Sequence, residues 1–260
     1  MADWNETNRR PDMTSVPRAG DAATRGTTFD EGLRKHMLSI YNMMASGVLL
    51  TGIVALLFVN TPLFESAFNV VQTPYGRSLQ TTGLGWVIKL APLAFILVIS
   101  FGGVQRFSKT TLQAMFWGFA TLMGLSLSTI FAVYTGESVA SAFFAAAAAF
   151  AGLSLYGYTT KKNLSGWGSF LMMGLIGIIV AMLLNAFIFQ SGAMGLVISI
   201  LGVLIFAGFT AYDTQRLKEE YQYLRGTEFA GKAVVMGALS LYLDFINLFL
   251  FILQFLGNRE

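Results

Sequence analysis

The sequence predicts an all-α integral membrane protein, a bundle of seven transmembrane helices, on three observations. Of 260 residues, 55% are hydrophobic and only 12% charged, about half the charged share of an average soluble domain. The mean hydropathy is +0.61. The apolar residues gather into seven runs that reach the ~17–25 residues needed to span a hydrocarbon layer.

In chain order the runs are Met37–Val59, Trp86–Val104, Leu112–Tyr134, Ser138–Tyr158, Gly168–Phe189, Met194–Gln215 and Ala233–Leu256, here called spans one to seven. Lipid offers the backbone no hydrogen-bond partners, so each run satisfies itself as a helix. A transmembrane barrel would show ~10-residue segments of alternating hydrophobicity, and these runs do not alternate. Span two is the shortest and carries Lys89 and Pro92. Residues 1–29 are polar, with Pro11, Pro17, Gly20, Gly26 and scattered charge. That composition predicts a disordered tail ahead of a seven-helix domain over residues 30–260, and nothing in it looks like a cleaved signal. There is no cysteine, which excludes disulfides and thiolate chemistry.

Basic residues set the expected orientation. The tail and the connections after spans two, four and six hold Arg9, Arg10, Arg18, Arg25, Arg34, Lys35, Arg106, Lys109, Lys161, Lys162, Arg216, Lys218, Arg225 and Lys232. The opposite side has Arg77, Lys89 and Arg259. The positive-inside rule then places the N-terminus in the cytoplasm and the C-terminus outside. The net charge of +3 is read as this orientation signal. It calls for a lipid bilayer as partner and for no nucleic acid.

Small residues mark helix contacts in lipid. Span three has Ala120, Gly124 and Ser128 on one face, span four an alanine run from Ala145 to Ala149 followed by Gly152, and span six Gly195, Ser199, Ala207 and Ala211. Simple helix packing explains these faces; a pathway lining is the alternative.

Ionisable groups inside a membrane are functional suspects. Asp244 lies mid-way along span seven, and Asp213 near the cytoplasmic end of span six. Ser240, Asp244 and Asn247 share one helix face, as do Thr210, Asp213 and Thr214. Spans six and seven are consecutive and antiparallel, so the two polar faces can meet. Two close carboxyls in a dry site cannot both ionise cheaply, and such a pair holds a shared proton. The structural alternative for Asp213 is a cap or ion pair at a helix end beside Arg216 and Lys218. For Asp244 it is a hydrogen-bonded carboxylic acid. Asn185 in span five reads as interhelical glue. One geometric difficulty remains. With Asp213 a few residues from the membrane edge and Asp244 deeper, their depths differ on the order of 10 Å. They meet only if span six runs further, span seven starts later, or the helices tilt.

Conventional catalysis finds no residues here. A retinal protein needs a mid-span lysine, and the lysine nearest to span seven is Lys232 at its start. The single histidine, His36, precedes span one, so neither a Ser–His pair nor a His-Glu-x-x-His site is available. No P-loop pattern occurs. The chain is expected to be no enzyme and to carry no cofactor.

The segment Ala211-Tyr212-Asp213-Thr214-Gln215-Arg216-Leu217-Lys218 resembles the span-six signature of the Bax inhibitor family of transmembrane proteins. Ala238-Leu239-Ser240-Leu241-Tyr242-Leu243-Asp244-Phe245-Ile246-Asn247-Leu248-Phe249 resembles its span-seven signature, and Lys161-Lys162-Asn163-Leu164-Ser165 with Gly166-Trp167 is similar to its loop. The resemblance covers residues 30–256. It implies a central seventh helix enclosed by the other six. It also implies a pH-sensitive calcium leak gated by a di-aspartyl pair, Asp213 and Asp244, which bind calcium in passing. Further oxygens for the ion path would come from Ser240, Asn247 and Thr210. A basic latch found in some members falls on Arg106; an acidic residue that some carry in span two is missing. The short ends and compact loops look bacterial, which implies the inner membrane. The alternative is a non-conducting regulator that binds membrane proteases or other membrane proteins.

Overall fold

The computed structural model describes residues 19–73, 76–102 and 106–258. It is built from α1 (Ala19–Phe58), α2 (Pro62–Ala67), a hairpin of β1 (Phe68–Thr73) and β2 (Gly76–Thr81), α3 (Gly83–Gly102), α4 (Lys109–Val133) and α5 (Gly136–Thr159). Then come α6 (Trp167–Leu184), a π-helical turn (Asn185–Phe189), α7 (Gly192–Leu224) and α8 (Ala230–Leu256). Among the described residues, six helices are long and apolar enough to cross a membrane: α1 from Glu31, α4, α5, α6 with its π turn, α7 and α8. The apolar part of α3, Gly83–Ile99, is shorter. The all-α membrane bundle expected from hydropathy is therefore present.

Helix starts follow capping chemistry. Thr61, Ser108, Thr135 and Ser191 each accept a hydrogen bond from the backbone N–H three residues on, which satisfies a donor the first helical turn leaves open. Two helices outrun their apolar runs. The segment expected as tail contains the first turns of α1, which begins at Ala19; residues 1–18 of that tail lie outside the described residues. α7 continues through Arg216, Lys218, Glu219 and Glu220 to Leu224, because the helical backbone bonds itself whether or not its side chains are apolar. The α2 segment and the β1–β2 hairpin have no counterpart in the hydropathy reading. They gather a small cluster of Phe58, Phe64, Ala67 and Phe68, over which Lys89 lays its ammonium while donating to Thr81 Oγ1 at 2.8 Å.

The core is α8. Of its most apolar stretch 72% is buried, against 39% or less in the other spans, and it packs on α1, α4, α5 and α7. Tyr242 is fully buried. Its ring meets Phe116 and Phe119 edge-on at 5.9 and 5.8 Å. Its hydroxyl lies 2.7 Å from Thr51 Oγ1, which also lies 2.9 Å from the carbonyls of Gly47 and Ala120. Carbonyls only accept, so the Thr51 proton goes to them and Tyr242 donates to Thr51. One hydroxyl pair thus ties α1, α4 and α8 together.

Small residues account for the close seams. Ala120 and Ser128 are fully buried, and a Cβ on Gly124 would come within 2.7 Å of Val54 on α1. On α5 the expected face needs correction at Gly152, which faces open space. Ala142 and Ala146 are buried, and Ala145, Ala147 and Ala149 are half-buried against the same core. An alanine run is small all round, so its composition does not say which side packs.

Candidate functional site

Asp213 lies roughly three turns before the end of α7, and Asp244 roughly four turns into α8. Because span six runs further than its apolar residues, the two antiparallel helices bring both carboxyls to one cavity. Asp213 is level with Ser240, so the mismatch expected from span boundaries shrinks to about one helical turn.

A closed ring joins the helices. Asp213 Oδ1 pairs with Arg216 Nη1 at 3.2 Å. The Ser240 hydroxyl donates to Asp213 Oδ2, and Arg216 Nη2 donates to Ser240 Oγ at 3.2 Å. Asp213 is 5% exposed and Asp244 also 5%, but their partners differ. Asp244 Oδ2 is buried without a hydrogen-bond partner. Arg216 pairs with Asp213 and lines the same cavity as Asp244.

Two cavities flank this ring. One, of about 410 Å³, lies between α6, α7 and α8 and contains Asp213, Asp244 and Asn247 among apolar walls such as Met172, Ile179 and Phe251. The other, of about 770 Å³, lies between α3, α7 and α8 and has Glu219, Glu220 and Tyr223 on its rim. Arg216, Ser240 and Leu243 line both. They form the partition between them.

The other residues singled out from sequence fall into place differently. Asn247 lines the smaller cavity and donates to the Leu243 carbonyl at 2.8 Å. Thr210 is fully buried and donates to Phe206 O at 2.8 Å, so its proton is spent on its own helix. Arg106 is exposed beyond α3; the cation paired with Asp213 is Arg216, one turn away on the same helix. The ion pair weighed as the structural alternative for Asp213 is thus formed, although not at a helix end. Asn185 joins the end of α6 to the start of α7. Its Oδ1 accepts from Ser191 N at 3.0 Å and closes the α6–α7 turn, where Gln190 takes a left-handed conformation at φ 45°. Among the described residues no three His, Cys, Asp or Glu side chains gather, so further oxygens at this site are neutral ones.

Two residues of the matched signatures do work that sequence did not reveal. Gln215 is buried and clasps the α5–α6 connection, its Oε1 accepting from Leu164 N at 2.7 Å and its Nε2 donating to Lys162 O at 2.8 Å. Tyr242 is the core anchor already described. Their polar tips inside apolar helices were the available signal.

The sequence profile of the family described as Inhibitor of apoptosis-promoting Bax1 matches residues 33–260. The chain belongs to the Bax inhibitor family. Three bacterial proteins illustrate the similarity. An uncharacterized protein of Caulobacter vibrioides is 48% identical over 234 residues, covering 89% of this chain and 92% of that protein. The uncharacterized protein RP147 of Rickettsia prowazekii is 42% identical over 249 residues, 95% of this chain and 100% of that one. The inner membrane protein YbhL of Escherichia coli K12 is 41% identical over 231 residues, 88% and 94% of the two chains. For this Bax inhibitor family member, the match takes in both aspartate helices and the loop that Gln215 clasps.

Proposed function

We propose that this protein is a pH-regulated cation leak pathway, with calcium as the transported ion, gated where Asp213 and Asp244 meet. The supporting observation is the unpartnered Asp244 Oδ2 inside the bundle. A buried polar group left unsatisfied destabilises by about 1–3 kcal/mol, so a purely structural role explains Asp244 poorly. The reading takes α3 as a seventh span, the bacterial inner membrane as the location, as in the name of YbhL, and the N-terminus as cytoplasmic.

Charge counting gives the gate its sign. With Arg216 beside two carboxyls, the cluster is neutral when the pair keeps one proton. Loss of that proton leaves one uncompensated negative charge and two like charges in low dielectric, where repulsion exceeds its value in water. The Ser240 ring then gives way, the partition between the two cavities opens, and the exposed carboxylates offer calcium hard oxygen ligands. Flux therefore rises with pH.

The test is calcium flux across liposomes from about pH 6 to about pH 8, for the wild type, Asp213→Asn and Asp244→Asn. The amide keeps shape and removes titration, so both variants should lose the pH dependence. An unchanged pH profile in both sinks the gate. A wild type that conducts nothing at any pH favours the non-conducting regulator instead. Orientation has its own check: a reporter fused after residue 260 should read as outside and one inserted between Glu220 and Lys232 as cytoplasmic. A cytoplasmic C-terminus would mean that α3 does not cross.

A further inference from the structure

A second candidate site lies on the other side of the bundle, independent of the aspartates. α1 packs on α4 and α8, and α5 on α7 and α8, which leaves a seam between α1 and α5 with α8 behind it. Two cavities occupy that seam. One of about 630 Å³ runs from Arg34 to Tyr41 on α1 and from Phe150 to Tyr158 on α5. The other, of about 310 Å³, runs from Val48 to Ala55 on α1 and from Gly136 to Phe144 on α5, with Phe245 and Phe249 as its floor. The α1 positions form one stripe at helical spacing. From Arg34 to Ala55 the helix rises roughly 30 Å, the thickness of a hydrocarbon core.

The larger cavity is apolar along its length and charged at one end. Met37 and Phe150 are buried walls, and Leu38 and Leu155 are open flanks at 47% and 63% exposure. Two hydroxyls inside it, of Tyr41 and Ser154, lie beside Thr214, which donates to Ser154 at 3.2 Å. The charged lining residue is Arg34, which is exposed and has no ion pair among the described residues. Lys35, Lys161 and Lys162 are also exposed at that end of the two helices.

We propose that the α1–α5 seam binds one anionic glycerophospholipid, its phosphate on Arg34 and an acyl chain along Met37, Leu38, Phe150 and Leu155. The guanidinium fork matches phosphate oxygens bidentately. An apolar groove that opens to the bilayer takes a chain without exposing it to water. The surplus of positive charge at the mouth selects the headgroup. Phosphatidylglycerol brings a net negative charge to the cluster, whereas phosphatidylethanolamine brings its own ammonium and gains little. The lipid would rest against the hydroxyl cluster that holds Thr214, the residue next to Asp213.

The experiment is native mass spectrometry of the full chain in detergent, titrated with phosphatidylglycerol or phosphatidylethanolamine. The wild type should retain one phosphatidylglycerol in preference to phosphatidylethanolamine. Arg34→Glu should weaken that binding about tenfold, while Lys35→Glu, off the groove, should leave most of it. Ala151→Trp places an indole in the open groove and should abolish retention. Equal retention of the two lipids, equal loss in both charge variants, or full binding by Ala151→Trp would overturn the site. So would displacement by inorganic phosphate, or a second copy of the chain bound in place of lipid. If Ala151→Trp fails to fold, the two surface charge variants, whose melting should match the wild type, decide the matter alone.

Discussion

α6 and α8 are both apolar from end to end, and α6 is the more apolar of the two, yet 11% of its most apolar stretch is buried against 72% of that in α8. In water the ranking would run the other way, because burial follows hydrophobicity. In lipid the tails are as apolar as leucine, and removing an apolar side chain from them gains little. What selects a helix for the interior is shape and polarity. α8 has Gly237 and Ala238 for close approach, Tyr242 with a hydroxyl that needs a partner, and Asp244. α6 presents Phe170, Met173, Ile176 and Leu183 to the outside and packs mainly on α7 among the long helices. The candidate site lies where these two regimes meet, in the cavity between α6, α7 and α8.

The largest break of this comparison is expected in the core. Tyr242→Ala removes a fully buried ring and strands Thr51, and should destabilise by about 3–5 kcal/mol. Ile176→Ala on the outer face of α6 should stay within about 0.5 kcal/mol of the wild type. Thermal unfolding in one detergent, read by loss of monodisperse protein, compares them directly. Similar losses in both would mean that α8 is not the organising helix.

Glycines provide a finer probe. A Cβ on Gly157 of α5 would press on the Ala211 backbone of α7, which no rotamer change relieves. Gly157→Val should therefore cost about 1–3 kcal/mol and loosen the helix that carries Asp213. Gly177 on α6 has nothing within 4 Å of its Cβ position. Gly177→Ala should be neutral or stabilise by about 0.5–1 kcal/mol through helix propensity alone. A destabilised Gly177→Ala would show that α6 has a close neighbour at that position, and the contrast with α8 would have to be redrawn.

The amino-acid sequence alone determined the long helices, the suspicion attached to Asp213 and Asp244, and the family, through motifs written contiguously along α7 and α8. Hydropathy reports where a chain can enter lipid, so it found the six long apolar helices. It stopped short at Gln215 because Arg216, Lys218, Glu219 and Glu220 end the apolar run without ending the helix. Only the tertiary structure decided that the two aspartates line one cavity, since that depends on how far α7 continues and how α8 lies against it. It also decided their unequal state. Arg216 and Ser240 close a ring on Asp213, while Asp244 Oδ2 has no partner. Spacing along one helix predicts a shared face, but which neighbour a side chain reaches across a seam is set by small residues such as Gly124 and Gly157 that fix how closely the helices pack. For the same reason no pattern in sequence pointed to the seam between α1 and α5. A gap is a property of helices that pack loosely, and each of the two helices reads as an ordinary span.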